Sequence, residues 1–205
     1  MVKNSRIATI SLDGETLCLN FTNTVHNRTE NPPPDYLLNM VDLIAWAEKV
    51  VLLDERHARR LDKLATENPK KARQFFSEAI AMRELLYRIF FPIAAHKKIA
   101  PDDLAQFNTL LKSSFSHMAL VSESGTYKAD WDFPSDSFQQ ITAPIVKDAY
   151  DLLLSGKLDR VKECPNCGWL FLDTTRNGKR RWCSMKNCGS NIKALEWYHR
   201  HKGES

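Results

Sequence analysis

Cys164-Pro165-Asn166-Cys167-Gly168-Trp169-Leu170-Phe171-Leu172-Asp173 opens the stretch that organises this chain, and Arg180-Arg181-Trp182-Cys183-Ser184-Met185-Lys186-Asn187-Cys188-Gly189 closes it. It holds four of the five cysteines; two residues separate the first pair, fifteen separate the pairs and four separate the second pair. Closely spaced thiolates on tight turns supply two ligands each to a tetrahedral ion, and four protein ligands make a closed, structural Zn²⁺ site. Pro165 sets the turn and Gly168 lets the backbone bend after the second sulfur. Disulfides require an oxidising compartment, and the N-terminus carries no apolar signal segment. A redox Cys-x-x-Cys would stand alone between a strand and a helix, without a second pair. Cys164, Cys167, Cys183 and Cys188 are therefore the candidate ligands of one structural zinc. About 40 residues are too few for a sufficient apolar core, so the metal staples the segment.

Between the pairs, Trp169–Leu172 and Arg180–Trp182 flank Asn177-Gly178, a turn signal that predicts a hairpin. After Cys188, Ile192, Leu195, Trp197 and Tyr198 recur at helical spacing. Nine basic residues against three acidic ones between Lys162 and Lys202 give this segment +6, whereas the whole chain is +4. The basic character thus belongs to the C-terminal segment. Such a face favours a polyanion, most often nucleic acid. Arg176, Lys179, Arg180, Arg181, Lys186, Lys193 and Arg200 are the candidate contacts, clustered near Trp169 and Trp182. The alternative is a basic surface that docks on an acidic partner protein.

Cys164-Pro-Asn-Cys167, Phe171-Leu-Asp173, Arg180-Arg-Trp-Cys-Ser-Met185 and Cys188-Gly189, with Lys193 beyond, resemble the CGNR-type zinc finger. In bacteria that finger follows an N-terminal helical ABATE domain in stress-induced transcription regulators. The resemblance implies a zinc-binding, DNA-binding C-terminal module of treble-clef-like or zinc-ribbon-like form. One departure stands out: the family's Cys-Gly-Asn-Arg reads Cys188-Gly189-Ser190-Asn191 here. The four ligands are untouched by it. Asn20, Asn23 and Thr24 are similar to the opening of the ABATE domain, and Arg83 falls in a stretch resembling one of its helices. Asn20, Asn23 and Arg83 are thus candidate residues for a small, anionic ligand. The plainer reading is that the amides tie down a backbone turn and that Arg83 pairs with a carboxylate.

Upstream, 205 residues allow one or two domains, and 43% hydrophobic with 26% charged residues is an ordinary globular balance. No apolar run reaches a membrane span, so cytoplasmic residence without membrane contact is the expectation. Leu17, Leu19 and Phe21 alternate, without deciding between a strand and a buried helix start; Cys18 reads as a small buried hydrophobe. Asn39 and Asp54 are positioned to cap helices, and Asn68-Pro69 opens a long one with Phe76, Ala79, Ile80, Met82, Leu86, Ile89 and Phe90 inward. Pro92 is expected to kink or end it. Pro101 opens another helix. Met118–Ser122 and Tyr127–Trp131 around Glu123-Ser124-Gly125-Thr126 predict a β-hairpin. A last helix, broken or restarted at Pro144, ends at Gly156.

No catalytic set emerges. The six histidines lack metalloprotease spacing, and there is no phosphate-binding glycine loop or nucleophile elbow. The expected architecture is α+β: a mostly helical N-terminal domain with a small hairpin (1–156), then a four-cysteine finger (161–202). The expected function is a non-enzymatic transcription regulator that binds DNA through the finger, its N-terminal domain a ligand sensor or homodimerisation unit. A zinc-stabilised protein-docking module, or a small-molecule-binding or enzymatic N-terminal domain, is the alternative.

Overall fold

The computed structural model describes residues 5–134 and 136–201. Among these residues, seven α-helices and a hairpin come first: α1 (Ser5–Thr9), α2 (Leu17–Thr22), α3 (Met40–Lys49), α4 (Glu55–Glu67), α5 (Pro69–Ala94), α6 (Pro101–Phe115), β1 (Met118–Glu123), β2 (Thr126–Trp131) and α7 (Gln139–Leu154). A 3-10 turn (Leu158–Arg160) leads into β3 (Val161–Glu163) and β4 (Leu170–Leu172); a π-turn (Met185–Gly189) then runs into α8 (Ser190–His201). The chain is mostly helical, with a small hairpin and a C-terminal zinc-ribbon-like finger.

The local signals explain the helix starts. The Asn39 side chain accepts from the Asp42 N–H and that of Asp54 from the His57 N–H, each satisfying a donor that the first helical turn leaves free. Thr16 does the same for α2 by accepting from the Leu19 N–H, which resolves the ambiguous Leu17–Phe21 stretch as helix. α5, 26 residues long, packs against α2, α3, α4, α6, β3 and β4 and is the axis of the molecule. Pro92 falls in its last turn. α7 runs unbroken through Pro144, and Gly156 follows it at φ +68, the left-handed conformation that stops a helix.

Trp46, Phe21, Phe90 and Phe107 are the large fully buried side chains of the helical core, with the rings of Phe21 and Trp46 5.1 Å apart. The core does not stop at residue 156. Trp169, Leu170, Phe171 and the four cysteines belong to the same buried cluster. The finger therefore rests on α2 and α5 as part of one apolar interior.

Two expectations are corrected: α7 is neither broken nor restarted at Pro144, and the hairpin of the finger is paired differently. β4 pairs antiparallel with β3, with Lys162 opposite Phe171, so the strands flank the first cysteine pair. Arg180–Trp182 is not a strand, and Asn177-Gly178 lies in a loop. Asp173 is the physical reason. Its buried carboxylate accepts from the Thr175 N–H (3.0 Å), the Arg180 N–H (2.9 Å) and the Lys162 ammonium (2.6 Å). The Lys162 ammonium also donates to the carbonyls of Gly178 and Arg180. Backbone groups that a hairpin ladder would have used are taken up by these two side chains.

Candidate metal centre and nucleic-acid interface

Strands β3 and β4 hold the first cysteine turn closed. The Cys164 N–H donates to the Trp169 carbonyl (2.8 Å) and the Gly168 N–H to the Cys164 carbonyl (2.9 Å). Gly168 sits at φ +70, and a Cβ there would stand 2.9 Å from the Arg28 Cβ, so both the conformation and the close approach require glycine. The second pair sits on the π-turn, where the Ser184 hydroxyl accepts from the Asn187 N–H and the Ser184 carbonyl from the Gly189 N–H.

All four sulfurs are buried, unpaired as disulfides and within 4.8 Å of one another. The separations Cys167–Cys183, Cys183–Cys188 and Cys188–Cys167 are 3.6, 3.5 and 3.6 Å. A tetrahedron with Zn–S bonds near 2.3 Å has edges of about 3.8 Å, whereas a disulfide would need about 2 Å. The set therefore fits one structural zinc with no ligand position left open for chemistry. Hydrogen bonds from the Cys167 and Cys183 thiols push the Cys164 thiol far below its ordinary range. Hydrogen bonds with the Cys164 and Cys167 thiols push Cys183 far up. Four sulfurs this close share negative charge poorly until a cation joins them.

Polar contacts weld this centre to the N-terminal helices. The Asn23 amide donates to the Leu170 carbonyl (2.8 Å) and accepts from the Leu170 N–H (3.0 Å). The Trp169 indole N–H donates to the Val25 carbonyl (2.6 Å), the Arg28 N–H to the Cys167 carbonyl (2.9 Å), and the Tyr87 hydroxyl to the Gly168 carbonyl (3.2 Å). The Arg28 guanidinium lies 3.8 Å over the Tyr87 ring and pairs with Glu84 at 2.8 Å. Burial and the nearby Glu163 carboxylate push the Tyr87 hydroxyl up to about 12. Burial also acts to raise Glu84, but Arg28 and Arg83 outweigh it and hold its carboxyl below the usual range.

The candidate ligand residues have partners inside the protein. Asn20 accepts from the Gly14 N–H at 2.9 Å, and Asn23 binds β4. Arg83, 3% exposed, grips Asp35 through two bonds of 2.9 and 2.6 Å and also reaches Glu84 and Thr24. Burial works against the Arg83 charge, and Asp35 and Glu84 together more than restore it. A cleft of about 320 Å³ lies elsewhere, beside the cluster, walled by His26, Tyr36, Trp169, Asn166 and Ser184.

The basic residues divide in two. Arg180 is fastened inward, donating to the Cys183 carbonyl, to the Asp13 carbonyl at 3.1 Å and to Glu15 at 2.5 Å, with Phe171 beneath it. Lys162 is held by Asp173. Arg176, Lys179, Arg181, Lys186 and Lys193 are exposed, and none pairs with a carboxylate among the described residues. Arg181 stacks over Trp182 at 4.9 Å. The side chain of Arg200 lies outside the described residues, as does Lys202. Asp173, Lys162 and Arg28 escape a reading of the sequence because their partners are set by the fold; only the Phe171-Leu-Asp173 motif marked one of them.

A family model described as CGNR zinc finger matches residues 160–201. The ABATE model, described as "Putative stress-induced transcription regulator", matches residues 15–156. A search of curated proteins finds no match. No helix among the described residues is long and apolar enough to cross a membrane.

Proposed function

The chain belongs to the ABATE family, whose model covers residues 15–156, and from that premise we propose that it is a transcription regulator that binds DNA through its zinc finger. The observation that carries this reading is the division of the basic residues. Lys162 and Arg180 build the finger, while Arg176, Lys179, Arg181, Lys186 and Lys193 stand exposed without carboxylate partners among the described residues. Cations left free on a rigid module are what phosphate contacts require. Arg200 joins this set from sequence alone. The protein acts in the cytoplasm and catalyses no reaction. Its helical part serves as a sensor of a small ligand or as an oligomerisation unit, and the Asn23, Trp169 and Arg28 contacts give it a mechanical link to the finger.

Fluorescence anisotropy of the zinc-loaded protein on a generic duplex, across a salt series, tests the reading. A log–log slope equivalent to roughly 4–6 phosphate contacts is expected. Arg176→Ala and Lys179→Ala should each reduce the slope by about 1 without changing the circular dichroism spectrum. Absence of binding at low salt sinks the proposal and moves the exposed cations to an acidic protein partner.

A further inference from the structure

We propose that the outer edge of β2 is the two-fold seam of a homodimer, formed by antiparallel pairing of β2 with β2 of a second copy about Ala129. The hairpin stands as a two-stranded sheet of its own, turning through Ser124 and Gly125 at φ +50 and +82. Two strands alone are marginal in water, and they leave both edges open to another chain. This one also carries apolar side chains into solvent: Leu120 is 74% and Tyr127 75% exposed.

The ladder fixes which backbone groups are free. β1 and β2 pair with Met118 opposite Trp131 and Leu120 opposite Ala129, and the Asp132 N–H donates to the His117 carbonyl. Hydrogen-bonded and non-bonded pairs alternate in an antiparallel ladder. Asp132, Asp130 and Lys128 therefore face β1, and the N–H and C=O groups of Tyr127, Ala129 and Trp131 point away from it. The Trp131 N–H is met only by the carboxylate of its neighbour Asp130, at 2.8 Å.

The residues around Ala129 are self-complementary. They read Tyr127-Lys128-Ala129-Asp130-Trp131, so reversal about Ala129 exchanges aromatic for aromatic and cation for anion. In a two-fold antiparallel pairing Ala129 lies opposite Ala129 and exchanges both of its backbone bonds. Tyr127 lies opposite Trp131 on the face shared with Leu120, and Lys128 lies opposite Asp130 on the other face. Aromatic pairs and opposite charges directly across a ladder are both stabilising. Forming the seam transfers the Trp131 N–H from Asp130 to the Tyr127 carbonyl of the partner, and Lys128, which pairs with Glu123 at 2.5 Å in the single hairpin, exchanges that partner for Asp130 of the second copy. The β1 edge has no such symmetry: reversal about Leu120 pairs Ala119 with Val121 and brings no opposite charges together. The product is a four-stranded sheet, and a two-fold dimer presents two fingers to a duplex, as regulators reading paired half-sites do.

Sedimentation velocity on the full-length, zinc-loaded chain from about 1 to 100 µM tests the seam, a range in which modest interfaces assemble. The wild type should show a concentration-dependent dimer. Lys128→Asp and Asp130→Lys, each of which sets like charges across the seam, should weaken it about tenfold or more. The double variant, with both exchanges, should restore the dimer, because each pair is re-formed with its signs reversed. Ala129→Pro removes an outward N–H and none of the β1–β2 bonds, and should yield monomer with an unchanged circular dichroism spectrum. A monomeric wild type throughout, or a dimer indifferent to both single exchanges and to Ala129→Pro, overturns the proposal.

Discussion

Asp173 is a buried junction of the finger, where Lys162, Thr175 and Arg180 converge. Burial by itself would raise its carboxyl, but the Lys162 ammonium, the Thr175 hydroxyl and the N–H groups of Thr175 and Arg180 hold it well below the usual carboxylate range. A carboxyl depressed in the folded state gives stability that is complete above its unfolded value, near pH 4, and is lost as pH falls towards the folded value. The finger should therefore loosen under acid below about pH 4. Asp173→Asn keeps the shape and removes the charge, leaving the Lys162 ammonium without its counter-ion. It should cost about 2–4 kcal/mol in urea denaturation, and its stability should fall less steeply between pH 4 and pH 2 than that of the wild type. An equally steep acid limb in the variant would show that another group governs it.

Elements differ in how far their own residues declare them. The caps at Asn39 and Asp54 and the turn at Ser124-Gly125 act within three or four residues, so α3, α4 and the β1–β2 hairpin were legible from the sequence. The zinc ligands were legible for the same reason, being two tight pairs. In the finger, β4 was legible in Trp169–Leu172, but its partner was not. Asn177-Gly178 carries a hairpin signal, but Asp173 and Lys162 bind the backbone that would have formed the ladder, and β4 turns to β3 instead. The role of Asn23 was hidden more deeply, since its partner Leu170 is 147 residues away. Gly168 shows the two kinds of information together: its need for a positive φ is readable after Cys167, its closeness to Arg28 is not. Gly168→Ala should cost about 2 kcal/mol or more by thermal denaturation, and zinc should leave it faster in a chelator competition assay. Unchanged release would mean that the Arg28 segment yields without disturbing the first cysteine turn.

At the scale of the molecule, the buried core runs without a break from the helices into the finger. Trp169, Leu170 and Phe171 complete an interior that α2 and α5 begin. A finger hinged on a linker would lose zinc without consequence for the helices. Here chelation should lower the melting temperature followed at the helix band as well as the finger's own signal, in one transition. Each 1 kcal/mol withdrawn should appear as a shift of about 2–4 °C for a chain of this size. Two separate transitions, with the helical one unmoved, would restore the picture of independent domains.

The contact between Asn23 and Leu170 also has an order in time. A ribosome makes α2 early and β4 late, so the Asn23 amide meets water through the synthesis of nearly every other element before its partner exists. The same holds for the Val25 carbonyl that waits for Trp169, and for the Gly14 carbonyl that waits for the Leu172 N–H. The segment from Gly14 to Arg28 is thus a socket built long before its plug. The four-cysteine site is complete only once Cys188 is made, when one wall of its enclosure is already old.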